Sequence, residues 1–215
     1  MLKSQPLLRD CAATVAALAL AGLLSACASG PSKEECDAAD WRAIGYEDGV
    51  RGWSEARMAT HRKGCARHGV TLDLNAYRSG WQEGVERYCQ AGNGYHEGRT
   101  GHMYSGVCPQ QLEPAFLDAY RAGHELYSLE VEVQRLTRKL RHKQARLDDI
   151  DVAMRDAGLE LVAPGVPTER RVVLVDELRK LGDERAATRA EIPALEAELS
   201  SQQQRLATVS AQHDY

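Results

Sequence analysis

The second half of the sequence repeats apolar residues in a pattern that long paired helices satisfy. Leu, Val, Ile and Met residues recur at alternating steps of three and four over residues 126–154, a heptad pattern of about four repeats. The pattern resumes over residues 174–209, after a break at 158–168 that is rich in Pro and Gly. The sequence therefore predicts an antiparallel coiled-coil hairpin over residues 126–215, with its connection at about 158–168 and a kink at Pro193.

Basic residues are concentrated on the first arm of the predicted hairpin, without an acid among them. They are Arg135, Arg138, Lys139, Arg141, Lys143 and Arg146. One interpretation is a surface for a polyanion. Folding the hairpin about residue 163, however, brings Asp183, Glu184 and Glu191 of the second arm alongside this run. A charge match between the arms is the favoured explanation.

The first half of the sequence repeats a short unit that consists of Gly, an aromatic ring, a polar residue, an acid and Gly. The copies are Gly45-Tyr46-Glu47-Asp48-Gly49, Gly80-Trp81-Gln82-Glu83-Gly84, Gly94-Tyr95-His96-Glu97-Gly98 and a degenerate Tyr120-Arg121-Ala122-Gly123-His124. On a helix, glycines four apart share one face and permit close approach of a neighbour. Around the third copy the glycines are dense and Asn93-Gly94 is a turn signal. We therefore expect short helices at copies one, two and four, and an irregular disulfide-bound loop or hairpin at copy three.

Four cysteines lie in this repeat half: Cys36, Cys65, Cys89 and Cys108. An even number in an exported chain indicates two disulfides. Three pairings are possible, and Cys36 with Cys65 and Cys89 with Cys108 is favoured because each pair brackets a segment with repeated features. A four-cysteine zinc site is the rival interpretation, but the sequence has no close Cys-x-x-Cys pair.

The amino terminus has the pattern of a lipoprotein signal. Lys3 and Arg9 precede an apolar run at 11–24, which is too short for a stable membrane span of about 20 residues. The run leads into Leu24-Ser25-Ala26-Cys27, in which a small residue precedes a cysteine that can carry acyl chains. An ordinary secretory signal cut elsewhere and a short anchor left in place are the alternatives. The favoured prediction is a signal peptide at 1–26, lipidation of Cys27 and a tether at 27–35.

The residue after Cys27 bears on which membrane holds the protein. Ala28 stands where an aspartate would typically signal retention in the inner membrane, so the expected location is the periplasmic face of the outer membrane. Without residues 1–26 the chain has 25 basic and 30 acidic residues, a formal net charge of −5. A mildly acidic chain is a poor candidate for binding nucleic acid.

The order of cysteines, glycines and aromatic residues resembles that of a known family. The matching residues are Cys36, Trp41-Arg42, Gly45-Tyr46, Cys65, Tyr77, Gly80-Trp81, Gly84, Tyr88-Cys89, Gly94, Gly98, Gly101, Tyr104, Val107-Cys108-Pro109, Phe116, Tyr120 and Gly123. They resemble a family of Gram-negative lipoproteins catalogued as a domain of unknown function, over about residues 34–130. The resemblance implies an exported, lipid-anchored domain and supplies no catalytic residues.

No catalytic motif stands out in the sequence. Histidines 61, 68, 96, 102 and 124 have spacings that fit no ordinary metal-ligand pair, so exposed histidines and no metal or cofactor are expected. Glu47, Asp48, Glu83 and Glu97 could imitate the paired carboxylates of a glycoside hydrolase. Their equivalent repeat positions favour a structural role instead, such as pairing with Arg42, Arg78 or Arg99.

Six aromatic residues of the repeat half are candidates for a binding surface: Trp41, Tyr46, Tyr77, Trp81, Tyr95 and Tyr104. They could stack on peptidoglycan or another envelope glycan, or receive a partner peptide. Most of them are better explained as the core of the small domain.

Together these features predict a mainly α protein. A small disulfide-stapled repeat domain of short helices and loops, at about 36–125, precedes the helical hairpin at 126–215. The predicted function is that of a structural or adaptor lipoprotein, without enzymatic activity, that contacts an envelope protein through the hairpin. Recognition of peptidoglycan or another glycan is the alternative.

Overall fold

A computed structural model of the chain describes residues 30–212, and every regular element in that part is helical. The α-helices are α1 (Lys33–Asp37), α2 (Trp41–Val50), α3 (Met58–Ala66), α4 (Leu74–Tyr88), α5 (Ala91–Thr100), α6 (Glu113–Val162) and α7 (Thr168–Gln212), with one 3-10 turn at Glu55–Arg57. The mainly α prediction is confirmed. The predicted signal peptide and Cys27 lie outside the described residues.

The chain forms two compact units. Within residues 30–212, the first holds residues 30–89 together with Ser105–Pro109, and the second holds Gln90–Tyr104 and residues 110–212. None of the helices in residues 30–212 is both long enough and apolar enough to cross a membrane.

The first unit is built on the pairing of α2 with α4. Each helix begins behind an aspartate, Asp40 or Asp73, whose carboxylate accepts hydrogen bonds from two backbone N–H groups of the first turn. A methyl group on Gly45 would overlap the carbonyl oxygen of Tyr77, and one on Gly80 would overlap that of Arg42. The glycines are therefore required because the two backbones touch.

The second unit repeats this pairing between α5 and the beginning of α6. A methyl group on Gly98 would overlap the carbonyl oxygen of Tyr120, and one on Gly123 would overlap that of Tyr95. The prediction of an irregular loop at copy three was wrong, because copy three forms helix α5. Close packing against α6 offsets the poor helix propensity of its glycines, about 1 kcal/mol each.

Matching details show that the four sequence copies are two copies of a two-helix structure. Trp81 Nε1 donates to the Trp53 carbonyl oxygen at 2.8 Å, and Tyr120 Oη donates to that of His102 at 2.7 Å. Gly52 and Gly101 both have positive φ, 68° and 74°, and a Cβ atom on either would overlap a tyrosine ring. Copies one and three are thus the first helix of each pair, and copies two and four are the second.

Both disulfides have the favoured pairing. One joins Cys36 of α1 to Cys65 of α3, and the other joins Cys89, just after α4, to Cys108. Each lies within the first unit. The amino-terminal helix and the Ser105–Pro109 segment are thereby covalently fixed to that unit.

Helices α6 and α7 form the predicted antiparallel hairpin within the second unit. Buried apolar residues of the seam include Leu136 and Ile150 of α6 and Leu174 and Leu195 of α7. Helix α6 begins at Glu113, before the predicted start of the hairpin at residue 126, and runs through Gly158 to Val162. The connection therefore consists of residues 163–167 and is shorter than the predicted 158–168. Helix α7 is continuous through Pro193, and the kink there stays a prediction.

Candidate functional site

A buried carboxylate joins three elements of the first unit. Asp48 of α2 is 3% exposed and accepts a hydrogen bond from Tyr77 Oη of α4 at 2.7 Å. The same oxygen lies 2.7 Å from Nε2 of His61 on α3, and Arg57 Nε lies 3.5 Å from the other oxygen. Because an ionised carboxylate only accepts, His61 donates from Nε2 in this contact. We call Asp48, His61, Tyr77 and Arg57 the Asp48 cluster.

Tyr77 remains a neutral phenol in this cluster. Burial raises the pKa of Tyr77 above its ordinary value, and the hydrogen bond to Asp48 raises it further. Its side chain is fully buried between the helices. The hydroxyl therefore serves as a fixed donor that keeps α2 and α4 in register.

The Asp48 cluster borders a cavity of about 310 Å³, whose wall includes Trp53 and Arg51. The guanidinium carbons of Arg57 and Arg51 lie 3.4 and 5.1 Å from the centroid of the Trp53 ring. The two guanidinium groups thus occupy the space over the Trp53 ring in which a ligand would have to stack. The polar groups of the Asp48 cluster, which a reaction would use, are hydrogen-bonded or ion-paired with one another. This arrangement favours a structural role for the cluster.

A second cavity of about 320 Å³ has Trp41, Ile44 and Pro31 among its lining residues, and His61 borders both cavities. Across residues 30–212, no group of three His, Cys, Asp or Glu side chains could hold a metal ion.

The six candidate aromatic residues are divided between the two units. Trp41, Tyr46, Tyr77 and Trp81 belong to the first unit, whereas Tyr95 and Tyr104 belong to the second. Tyr77 is buried, Trp81 donates to a backbone carbonyl, and Tyr104 Oη donates to Glu113 at 2.9 Å. Glycan recognition by these rings stays a prediction.

The repeat carboxylates pair with cations, in part as expected. Arg42 donates to Glu83 at 2.7 Å, and this hydrogen bond raises the pKa of Arg42. Arg78 pairs instead with Glu55, and Arg99 with Glu130. Glu97 lies 3.2 Å from Nδ1 of His102. These contacts support the structural interpretation of the repeat acids.

The basic run of α6 is partly matched by acids of α7. Lys143 Nζ donates to Glu191 at 3.0 Å, and Arg146 Nε donates to Glu184 at 2.8 Å. Asp183 instead lies near Arg179 of its own helix. The expected charge match between the arms is confirmed for these two pairs.

The hairpin connection is held by two arginines at the start of α7. Arg170 forms ion pairs with Glu160 and Glu177. Arg171 donates from its guanidinium to the carbonyl oxygens of Leu161, Ala163 and Val166. Arg171 thus provides hydrogen-bond donors to carbonyl oxygens at the end of α6 and in the connection. These contacts fix the tip of the hairpin.

Large aliphatic side chains are exposed at this fixed end. They are Val152, Leu159 and Val162 of α6 and Val172, Val173 and Val175 of α7. We call these six residues the aliphatic end. Sequence reasoning missed them because the heptad pattern draws attention to the seam. The run Val172-Val173-Leu174-Val175, where only Leu174 is buried, was the available signal.

Comparison with known proteins gives a match to one family model and points to no activity. Residues 40–125 match the family model described as a protein of unknown function, DUF2799, in agreement with the resemblance drawn from the sequence. No curated protein and no solved structure matches the chain.

Proposed function

We propose that this protein is a non-catalytic adaptor, anchored by lipid on Cys27 to the periplasmic face of the outer membrane, that contacts an envelope protein through the aliphatic end of its hairpin. The exposure of the aliphatic end carries the proposal. Val162 and Val172 are 73% and 66% exposed on either side of the connection. Exposed apolar side chains that are concentrated near one end of a hairpin are typical of protein contact sites.

The reach of the hairpin also supports an adaptor. The contact of α5 with α6 extends to Glu130, which pairs with Arg99, and α6 then continues to Val162. At 1.5 Å per residue this carries the end of α6 about 48 Å beyond that contact. Arg170 and Arg171 hold the end in a defined shape, which lowers the entropy lost on binding.

The amino terminus supports a short anchor. Ser32 caps α1 by accepting from the N–H of Glu35, whose carboxylate in turn accepts from the N–H of Ser32. This capped helix begins close after Cys27 in the sequence. Cys27 and Ser32 are separated by residues 28–31, so their Cα atoms can lie at most about 18 Å apart.

Replacing Cys27 with alanine is expected to abolish acylation and release the protein from the membrane fraction. Several buried acyl chains provide an essentially permanent anchor, whereas the described helices offer no span that would replace it. Metabolic labelling with a fatty acid, followed by fractionation, measures both effects. Cys11→Ala is the control and should remain labelled. A Cys27→Ala protein that stays labelled and bound would contradict the anchor.

Removing the end of the hairpin tests the contact. Replacing residues 151–181 with a short turn deletes the aliphatic end together with Arg170 and Arg171, while Lys143–Glu191 and Arg146–Glu184 remain. We expect the full chain to fold and acylate but to lose in-cell crosslinks to envelope proteins. The same turn placed at residues 163–167 is the control. Crosslinks that persist after the deletion would refute the proposed contact.

A further inference from the structure

Helix α3 carries a local concentration of cations in a chain that is acidic overall. Residues 56–72 contain no acid, and three cations of this range, Arg62, Lys63 and Arg67, have exposed side chains. We call these three residues the α3 cations. Within residues 30–212, none of them forms an ion pair with an acidic side chain.

Two of the α3 cations lie on the side of the helix that faces away from the disulfide. Cys65 is buried and joins α3 to α1. Lys63 and Arg67 lie two residues before and after Cys65, which places both on the opposite side of the helix. The helix dipole favours a cation in the last turn, but two cations four residues apart repel each other. This side of α3 is therefore complementary to an anionic surface.

Pro31, near the start of the described residues, is held on α3 beside these cations. Arg67 Nη2 donates to the carbonyl oxygen of Pro31 at 3.2 Å, and Nε2 of His68 lies 2.9 Å from the same oxygen. A Cβ atom on Gly64 would lie 3.0 Å from Cγ of Pro31, so the proline ring packs directly on the helix. The Cα atom of Cys27 can lie at most about 14 Å from that of Pro31. The proposed lipid anchor therefore keeps α3 close to the membrane surface.

The acids of the neighbouring helix α1 do not neutralise the α3 cations. Asp37 forms an ion pair with Lys33, and the carboxylate of Glu35 accepts a hydrogen bond from the backbone N–H of Ser32. Glu34 is the remaining acid of α1. Because the disulfide joins α1 to the other side of α3, the outer side of α3 keeps its positive charge.

We infer that the α3 cations bind the anionic headgroups of phospholipids in the membrane that holds the anchor. The inference rests on the proposed acylation of Cys27, which brings α3 to that membrane. Anionic headgroups attract basic side chains that lie within about one Debye length, roughly 8–10 Å, of the surface. Contact through α3 orients the first unit on the membrane, whereas acyl chains alone leave it free to rotate about the tether.

Partition of the unacylated mature chain, Cys27→Ser, onto lipid vesicles tests the inference without the anchor. Vesicles of phosphatidylglycerol are compared with vesicles of phosphatidylcholine at low salt. We expect binding to the anionic vesicles alone, and loss of that binding as the salt concentration rises. Lys63→Gln combined with Arg67→Gln should lower the partition about 25-fold, since each basic residue near an anionic surface changes it about fivefold.

Two further variants separate the α3 surface from net charge and from side-chain shape. Lys139→Gln combined with Arg141→Gln removes the same charge from exposed positions of α6 and should leave the partition unchanged. Lys63→Arg combined with Arg67→Lys keeps the charge and should bind like the parent.

Three outcomes would overturn the inference. They are the absence of any preference for anionic vesicles, equal weakening by the two double glutamine variants, and binding to polyaspartate without binding to vesicles, which would assign the surface to an acidic protein. Each leaves the anchor untouched, since acylation is measured by fatty-acid labelling. Conversely, a protein that is not labelled in cells but binds the anionic vesicles would remove the anchor and keep the lipid-binding surface.

Discussion

Gly80→Ala is expected to separate α2 from α4 and to unfold the first unit at a much lower urea concentration than the parent requires. The added methyl group would overlap the carbonyl oxygen of Arg42 and lie 3.0 Å from the backbone nitrogen of Tyr46. Neither backbone atom can move without moving its helix. Overpacking of this kind costs about 3 kcal/mol, and more where backbone is displaced. Hydrogen exchange of α2 and α4 amides during a urea series measures the loss.

Gly158→Ala provides the matched control, since it makes the same change inside a helix of the same protein. Among residues 30–212, nothing lies within 4 Å of the added Cβ atom. The hairpin should therefore gain about 0.5–1 kcal/mol from improved helix propensity. A loss of stability in Gly80→Ala and a gain in Gly158→Ala would establish that backbone contact, and not helix propensity, decides the effect of the added methyl group. A Gly80→Ala protein as stable as the parent would contradict the glycine-packed pair.

Asp48→Ala is expected to destabilise the first unit by about 2–3 kcal/mol, because it leaves the buried Tyr77 hydroxyl and the partly exposed His61 imidazole without their acceptor. Both groups lie 2.7 Å from the carboxylate in the parent. Loss of the cluster should loosen α3, which is held to α2 through His61. Thermal unfolding and exchange of α3 amides would report the change.

Two milder substitutions separate the cluster from ordinary charge pairing. Tyr77→Phe removes one donor and keeps the ring, so it should cost about 1 kcal/mol. Glu83→Gln breaks the exposed pair with Arg42 and should change stability little, because solvent screens an exposed ion pair. An Asp48→Ala effect no larger than that of Glu83→Gln would show that the cluster does not hold the unit together.

The repeat shows how far local sequence information reaches. Glycines four apart predicted close helix approach, but they could not indicate which helices approach each other. The pairing of copy one with copy two, and of copy three with copy four, depends on contacts between segments distant in sequence. The same contacts explain why α5 is helical despite Gly92, Gly94 and Gly98, since its packing on α6 outweighs local propensity.

The burial of Asp48 was more weakly indicated by the sequence. Glu47 and Asp48 are adjacent in the sequence, and the structure buries only Asp48 because it lies on the helix face of Gly45 and Gly49. Its partner His61 lies outside the repeat, on a helix with no apolar periodicity of its own. Sequence spacing alone therefore could not bring the two together.

The heptad pattern predicted the hairpin and its cross-arm ion pairs because seam packing follows directly from spacing. It did not reveal that α6 begins at Glu113, because residues 113–125 pack on α5 partly through backbone contacts at Phe116 and Gly123 and not only through apolar side chains. It also predicted that the connection begins at residue 158, whereas α6 ends only at Val162. Gly158 is tolerated inside the helix, and the chain turns only at the segment that contains Pro164 and Pro167.

If the aliphatic end of the hairpin contacts an envelope protein, a crosslinking group placed at that end will capture the protein. A photo-crosslinking amino acid at Leu159, in the acylated full chain in cells, tests this contact most directly. Ala145 is the control, since it lies two heptads earlier on the same exposed side of α6. We expect a discrete adduct with another envelope protein from position 159 and none from position 145. Equal yields at both positions, or no adduct with another protein at either, would contradict it.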